Sequence, residues 1–290
     1  MKLMSSTSQM RMSPVRADAE LRNDLVEAYL ALLKNSLTRN FDVAHYDVVP
    51  PNSRTLLKRL RYATYSGVQR CLEPLKLALV QTNRPTGETM MGMGALNNLH
   101  DCLNAIQVTG VPGDLVEAGV WRGGGTIFMK GFTYAHGDKD RRVWVMDSFE
   151  GLPKPKPGTD ADKGDRLWSS EYLAVSEEEV RNNFIKYGLL DTNVIFLKGF
   201  FEHTIPSCTI ESIALLRLDA DMYDATMLLL EHLYPKLSCG GYVIIDDYGI
   251  IPATAKAVEE YRRINLTREE LRIIGYVEGR PHGAYWRKQA

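Results

Sequence analysis

Residues 115–125 read LVEAGVWRGGG, and this stretch decides the fold of the chain. Its apolar first half predicts a buried strand that continues to Val120, and its glycines allow the backbone to turn tightly. The apolar residues that follow, from Gly124 to Ala135, predict a helix. A strand that leads through a glycine turn into a helix begins an α/β unit, and the free backbone amides at the helix N-terminus can bind a ligand there.

Beyond Gly113, short apolar runs alternate with helical stretches, which is typical of a doubly wound α/β sheet. The pattern predicts strands at residues 114–120, 142–147, 194–198, 212–219, 241–246, 272–277 and 284–287. It predicts helices at residues 124–135, 176–187, 224–237 and 254–264. The link between the last two strands is too short for a helical crossover. They should therefore form a terminal antiparallel hairpin on a seven-stranded, mostly parallel sheet.

The part of the chain before this sheet predicts a helical extension. Residues 1–18 are polar and aperiodic, so we expect a disordered tail. Helical spacing of apolar residues then predicts helices at about 19–37, 55–79 and 94–108. We expect residues 19–110 to form a helical N-terminal extension that supplies a wall of the binding site or a contact in a homodimer or higher homo-oligomer. Residues 111–290 are expected to form the α/β domain.

The composition narrows the choice of partners. Lys and Arg number 35 and Asp and Glu 36, so the formal net charge of −1 offers no broad basic surface for nucleic acid. Cys71, Cys102, Cys208 and Cys239 form no CxxC or zinc-binding pattern and are expected to be reduced thiols. Because the sequence shows neither a long apolar run nor a signal peptide, we expect a soluble, cytoplasmic protein without a membrane partner. A small-molecule partner is favoured.

The spacing of the glycine turn indicates which cofactor it holds. Its pattern is GxxxGGG, with Glu117 two positions before Gly119, and it favours S-adenosylmethionine over a dinucleotide, which prefers GxGxxG. Asp147 ends the next predicted strand, where a fixed carboxylate can accept hydrogen bonds from both ribose hydroxyls of an adenosine. The alternatives are a plain strand-to-helix loop and a capping aspartate. A nicotinamide-dependent dehydrogenase is a poor fit because GxGxxG is absent.

Four acids follow two later strands. Asp219 and Asp221 follow one strand, and Asp246 and Asp247 follow another. Ligands of open α/β sheets bind beyond the carboxyl ends of the strands, so these acids can converge there. Clustered carboxylates repel each other unless a cation neutralises them, and oxygen ligands favour Mg²⁺. The alternative is that each acid caps a helix, which for Asp221 would be the helix directly after it.

Several segments in register resemble the macrocin O-methyltransferase family. They are LVEAGVWRGG, VWVMDSFEGLP, FLKGFFEHTIP, LRLDADMYDATM and GGYVIIDDY. The likeness extends upstream to residues 88–92 and 96–99 and, weakly, to the first helix from about Leu21. The resemblance implies the class I methyltransferase fold, which is Rossmann-like. It also implies that the chain methylates sugar hydroxyls on macrolides and related natural products, in antibiotic biosynthesis.

The resemblance also implies which residues form the site. The residues expected to bind S-adenosylmethionine are Thr89, Met90, Glu117, Gly119, Arg122, Asp147 and Ser148. Those expected to hold Mg²⁺ are Asp219, Asp246 and Asp247. Catechol O-methyltransferases are similar, but their lysine base falls at Met222 here, so another residue must take the proton. We favour Asp221, with Asp219 as the alternative.

The loop at residues 151–170 contains prolines and many charges, which disfavour a packed element. We expect it to be a lid over a glycosylated acceptor, with Trp168 and Tyr172 in contact with that acceptor. Alternative acceptors are a nucleotide sugar and a catechol-like phenol, since each also presents an oxygen pair to a metal. A non-catalytic cofactor-binding subunit is a further alternative, which the intact acidic cluster disfavours.

Overall fold

The computed structural model describes residues 14–39 and 87–289, except for residues 157, 159 and 278. The predicted tail up to residue 13 and the predicted helix at 55–79 lie outside the described residues. The first helix, α1, spans Pro14–Leu37 and so begins earlier than predicted. Proline suits this first position because its missing amide hydrogen would have no partner within the helix.

The described residues form seven α-helices and nine strands. After α1, the helices are α2 (Met93–Thr109), α3 (Gly124–Ala135), α4 (Glu177–Lys186), α5 (Phe201–Thr204), α6 (Tyr223–Leu233) and α7 (Pro252–Ile264). The strands are β1 (Asp114–Ala118), β2 (Val143–Asp147), β3 (Val194–Lys198), β4 (Ile213–Leu218), β5 (Leu237–Ile245), β6 (Arg272–Ile273), β7 (Tyr276–Val277), β8 (Arg280–Pro281) and β9 (Ala284–Arg287).

The strands form a seven-stranded sheet in the order β3-β2-β1-β4-β5-β9-β6. Strands β1 to β5 pair in parallel, and β9 runs antiparallel to both β5 and β6. This confirms the predicted Rossmann-like sheet with its terminal hairpin. The antiparallel strand lies one place in from the edge, because β6 pairs along its outer side.

Two elements differ from the prediction in their extent. The predicted strand at 272–277 divides at Gly275: β6 stays in the main sheet, while β7 pairs with β8 in a separate ribbon. The predicted helix at 224–237 ends as α6 at Leu233. Pro235 has no amide hydrogen to continue that helix, so the chain tightens into one 3₁₀ turn and β5 begins at Leu237.

Helices cover both faces of the sheet, and every residue of β1 is buried. Leu103 of α2 and Phe128 of α3 belong to the core on one face. Leu230 of α6, Val258 of α7 and Trp286 of β9 belong to the core on the other. Burial on both faces explains why the strands read as continuous apolar runs rather than alternating ones.

The register of the parallel strands brings their carboxyl ends level. Ala118 pairs with Met146 of β2 and with Leu218 of β4, and Leu218 pairs with Ile245 of β5. The residues that directly follow these partners are Gly119, Asp147, Asp219 and Asp246. The fold therefore places the glycine turn and the predicted acids along one edge of the sheet.

Candidate functional site

A cavity opens beyond the carboxyl ends of β1, β2 and β4. Ligands of open α/β sheets bind at this edge. Six of the predicted site residues line it: Met90, Gly119, Asp147, Ser148, Asp219 and Asp221. Trp121, Leu173 and Phe200 add apolar walls.

The glycine turn brings β1 and β4 unusually close together. Gly119 has a φ of 86°, in the left-handed region, and a Cβ atom there would overlap the carbonyl oxygen of Asp219. Gly125 lies against a side chain instead, since a Cβ there would overlap the carboxylate of Glu117. These two positions therefore require glycine for space, and Gly119 also requires it for its backbone conformation.

The carboxylate of Asp147 binds the glycine turn. Its Oδ2 accepts hydrogen bonds from the backbone amides of Val120 at 2.8 Å and Trp121 at 3.4 Å, and Oδ1 accepts one from Phe149 at 2.8 Å. Burial raises the pKa of Asp147, and these hydrogen bonds act in the opposite direction. Asp147 thus lines the cavity and also fixes the turn, a second role that the sequence pattern did not indicate.

The segment before α2 packs on the other side of the turn. The buried Glu88 carboxylate lies 2.9 Å from Nη2 of Arg39, and the Glu88 carbonyl accepts a hydrogen bond from the Gly124 amide at 2.8 Å. Thr89 is buried against Gly124, while Met90 lines the cavity. The structure therefore places both predicted residues beside the glycine turn.

Arg122, Tyr172 and Trp168 lie beside the cavity rather than in its wall. The Arg122 guanidinium stacks 4.5 Å from the ring of Trp121. Tyr172 packs against the same ring at 5.2 Å, and its carbonyl accepts the indole hydrogen bond of Trp121 at 3.0 Å. Trp168 is 38% exposed, with the Lys154 ammonium 4.8 Å from its ring. Arg122 and Tyr172 thus support Trp121, which itself lines the cavity.

Glu117 is buried behind the glycine turn, with 2% of its surface exposed. Its Oε1 lies 2.7 Å from Nη1 of Arg217. Its Oε2 is also buried and has no hydrogen-bond partner of standard geometry among the described residues, although the backbone amide of Thr126 also stabilises the carboxylate. Burial raises the pKa of Glu117 to about 7, although the charge of Arg217 acts in the opposite direction.

Arg217 is a buried cation inside the acid cluster. Its Nη1 lies 3.1 Å from Oδ2 of Asp219, and its Nη2 lies 2.7 Å from Oδ2 of Asp246. No role for Arg217 was predicted from the sequence. The sequence did contain a signal for such a role, because Arg217 is the one charged residue of an otherwise apolar strand. A buried arginine needs anionic partners, so its position predicts carboxylates nearby.

The other two acids of the cluster have left-handed backbone conformations, with φ of 59° at Asp221 and 50° at Asp247. Burial raises the pKa of Asp221 to about 7, and the charge of Asp247 adds to that effect. Burial likewise raises the pKa of Asp247 to about 6, with a contribution from Asp246. The pKa of Asp219 is raised well above its ordinary value by burial and then by Asp246. The one positive charge of Arg217 thus leaves the cluster with surplus negative charge.

Two sets of potential metal ligands occur among the described residues, each with its ligand atoms within 4.8 Å of one another. One set is Asp219, Asp221 and Asp247, and the other is Asp246, Asp247 and His282. The predicted set of Asp219, Asp246 and Asp247 is divided between them. His282 lies in the link before β9, with Nδ1 3.9 Å from Asp246 Oδ1 and Nε2 3.9 Å from Asp247 Oδ1. No strand-end pattern marks it in the sequence.

Asp162, a third residue for which the sequence predicted no role, caps α6. Its Oδ1 accepts a hydrogen bond from the amide of Tyr223 at 2.7 Å, and its Oδ2 accepts one from Asp224 at 3.3 Å. Asp162 belongs to the loop at 151–170, which is thereby fastened to the helix beside the acid cluster. Because Asp162 supplies the cap, Asp221 does not serve that purpose and instead lines the cavity.

Comparison with known proteins identifies relatives that share one activity. The family described as Macrocin-O-methyltransferase (TylF) matches residues 26–288. The chain is 47% identical over 204 residues to the demethyldecarbamoylnovobiocin O-methyltransferase of Streptomyces niveus, spanning 69% of this chain and 75% of that protein. It is also 47% identical over 205 residues to the 8-demethyl-8-(2,3-dimethoxy-alpha-L-rhamnosyl)-tetracenomycin-C 4'-O-methyltransferase of Streptomyces olivaceus, spanning 70% and 76%.

The solved structure of the O-methyltransferase NovP shares the fold. It superposes with a TM-score of 0.75 at 37% identity, covering 91% of this chain and all of that one (100%). The predicted class I methyltransferase fold is thereby confirmed. Across the described ranges, none of the helices combines the length and apolar character needed to cross a membrane.

Proposed function

This chain belongs to the macrocin O-methyltransferase family, and from that premise we propose that it methylates a sugar hydroxyl of a glycosylated natural product with the help of Mg²⁺. It is an O-methyltransferase that depends on S-adenosylmethionine. One observation carries the rest of the proposal. The cavity beside the glycine turn and the acid cluster share Asp219 and Asp221, so a methyl donor and a cation-held acceptor can meet there.

The residues around the glycine turn fit S-adenosylmethionine, which supplies a methyl group on a positively charged sulfur when bound. Oε2 of Glu117 is buried without a hydrogen-bond partner among the described residues, and an unpaired buried carboxylate oxygen is costly. The ammonium group at the methionine end would satisfy it. Asp147 and Ser148 would face the adenosine, and Thr89 and Met90 would close over the methionine end.

The acid cluster fits Mg²⁺, which prefers oxygen ligands. Asp219, Asp221 and Asp247 can offer oxygens within 4.8 Å of one another. Asp246 has Oδ2 paired with Arg217, and it belongs to the neighbouring set with Asp247 and His282, which shares Asp247 with the first. A bound Mg²⁺ would lower the pKa of an acceptor hydroxyl and hold its oxygen in line with the methyl group.

Asp221 is the residue we assign to the proton of the acceptor hydroxyl. It lines the cavity, and Asp162 has taken over the capping of α6. The acceptor oxygen would bond to the methyl carbon as the carbon–sulfur bond of the cofactor broke, S-adenosylhomocysteine would be left as the neutral thioether, and the Asp221 carboxylate would accept the hydroxyl proton. Asp219 is the weaker candidate, because its Oδ2 already accepts a hydrogen bond from Arg217 at 3.1 Å.

The acceptor is inferred from the relatives and from the walls of the cavity. One relative's name specifies a rhamnosyl group, which is a sugar attached to a larger aglycone. Gly151, Leu152 and Pro153 from the loop at 151–170 line the cavity. This position supports the proposal that the loop closes over a bulky acceptor. A loop that kept the same protease sensitivity with cofactor and acceptor bound would argue against closure.

A methylation assay tests the proposed reaction. The protein is incubated with S-adenosylmethionine and separate panels of glycosylated natural products, nucleotide sugars and catechols, and products are identified by mass spectrometry. We expect one methyl group on a sugar hydroxyl of a glycoside, lost after EDTA treatment and restored by Mg²⁺. Methylation confined to nucleotide sugars or catechols would contradict the proposal that the acceptor is a glycosylated natural product. Full activity in EDTA would contradict the proposal that Mg²⁺ assists the reaction.

A further inference from the structure

Arg217 contacts three carboxylates that belong to two different parts of the site. Only 3% of its surface is exposed, and it projects from β4. Glu117, its partner at 2.7 Å, stands behind the glycine turn on β1. Asp219 and Asp246, its partners at 3.1 and 2.7 Å, belong to the acid cluster at the ends of β4 and β5. One guanidinium therefore joins the two halves of the site.

Each of these carboxylates gives one oxygen to Arg217 and keeps the other for a different purpose. Glu117 uses Oε1, which leaves the buried Oε2 without a partner among the described residues. Asp219 and Asp246 each use Oδ2, which leaves both Oδ1 atoms for the acid cluster. The planar guanidinium has donors in fixed directions, so it determines how all three carboxylates are turned.

We propose that Arg217 is a positioning residue that couples the cofactor end of the site to the acid cluster. Through it, affinity for the cofactor depends on Asp246, which lies outside the cofactor cavity. The inference rests on the proposed function in one respect, the assignment of Glu117 to the cofactor. It requires neither a bound metal nor an acceptor.

The three carboxylates around Arg217 explain why a lysine at this position cannot make the same set of contacts. The ammonium of lysine is a single point, whereas the guanidinium of Arg217 reaches three carboxylates with two nitrogens. A lysine would keep one positive charge in the cluster and release at least one carboxylate. Removing the charge altogether would leave buried carboxylates unpaired, which is strongly destabilising.

Isothermal titration of the metal-free, full-length protein with S-adenosylhomocysteine tests the coupling. Asp246→Asn removes the negative charge that pairs with Nη2 without touching the cavity, and we expect about tenfold weaker binding, a typical coupling between sites. Asp247→Asn is the matched control. It removes the same charge at the adjacent position, and Arg217 acts on Asp247 only through space, without a hydrogen bond or ion pair among the described residues. We expect its affinity to stay within about twofold of the unchanged protein.

Two further variants separate the coupling from a general loss of structure. Arg217→Lys should weaken binding at least as much as Asp246→Asn, and in its background Asp246→Asn should have no additional effect. Thermal unfolding of each variant shows which proteins are folded at the titration temperature. If Arg217→Lys does not fold, the S-adenosylhomocysteine affinities of Asp246→Asn and Asp247→Asn still show whether the coupling exists.

The outcomes distinguish this inference from the proposed function. If Glu117→Gln weakens S-adenosylhomocysteine binding while Asp246→Asn does not, the cofactor assignment stands and the coupling is wrong. Equal weakening by Asp246→Asn and Asp247→Asn would also overturn it, since charge alone would then explain the effect. If Glu117→Gln binds normally, the assignment of Glu117 itself fails, and the coupling fails with it.

Discussion

At the scale of single residues, the site is defined by close approaches that tolerate no extra atom. Gly119 is the clearest case, because its backbone has a φ of 86° and the Asp219 carbonyl occupies the space of a Cβ atom. The turn at Gly119 is held on its other side by the carboxylate of Asp147. A change at Gly119 should therefore displace the turn from both neighbours.

We expect Gly119→Ala to abolish measurable S-adenosylhomocysteine binding and to destabilise the fold. The left-handed conformation alone costs a non-glycine residue about 1–2 kcal/mol, and the overlap adds to it. Gly137→Ala is the matched control, since Gly137 has a φ of 70° but open space around it. Titration calorimetry and thermal unfolding should show a modest stability loss and normal binding for Gly137→Ala. Normal binding by Gly119→Ala would contradict the assignment of the turn.

The proposed base gives a second prediction at this scale. Asp221→Asn should lower kcat by about 10²–10⁴-fold, the usual contribution of a positioned proton acceptor. Binding of S-adenosylhomocysteine to the metal-free protein should remain, because the glycine turn is unchanged. Steady-state kinetics together with titration calorimetry would separate the two effects. A kcat close to that of the unchanged protein would assign the proton to another group, with Asp219 as the next candidate.

At the scale of elements, the start of α6 connects the loop at 151–170 with the acid cluster. Asp162 from that loop caps the helix at Tyr223 and Asp224, directly after Asp221. The helix carries no capping side chain of its own. The position of Asp221 is therefore expected to depend on the loop.

Asp162→Ala should reduce stability by about 1 kcal/mol, as for other lost N-caps, and should also lower kcat severalfold. Ser176→Ala is the matched control, because Ser176 caps α4 through the amide of Glu179 at 3.2 Å, away from the acids. Thermal unfolding should show comparable losses for both variants, and only Asp162→Ala should affect turnover. Equal turnover in the two variants would mean that the loop does not position the site.

Helices and strands were predictable from the sequence wherever a single periodicity of apolar residues dominated. The buried parallel strands have apolar runs that end in Gly119, Asp147, Asp219 and Asp246, so their order and their common edge followed from α/β rules. The extent of α6 was wrong because helical periodicity continues across Pro235. The division at Gly275 depends on pairing with β8, which a strand pattern does not encode.

At the scale of the whole molecule, the fold brings together side chains that are far apart in the chain. Arg217 meets Glu117 across 100 residues, and Asp162 meets α6 across about 60. Such partners have no local signature, which is why the sequence predicted the acids of the cluster but neither Arg217 nor His282. The prediction of a Mg²⁺ site depended on the repulsion between those acids. The positive charge of Arg217 offsets part of that repulsion.

The stability of the whole protein should report which cofactor it binds. A ligand at 100 times its Kd that binds only the folded state stabilises it by about 2.7 kcal/mol. Thermal unfolding should therefore shift upward with S-adenosylhomocysteine and remain unchanged with NAD. A shift with NAD alone would support the dehydrogenase alternative and contradict the account of the glycine turn.

The most direct test of the central claim is a crystal structure with S-adenosylhomocysteine and Mn²⁺, with anomalous data collected at the manganese edge. We predict the nucleoside in the cavity beside Gly119 and Asp147, with an anomalous peak bound by carboxylates of the acid cluster, Asp219 and Asp247 among them. A ligand bound elsewhere would contradict the cofactor site. A filled cofactor cavity without manganese at these carboxylates would contradict metal-assisted methylation.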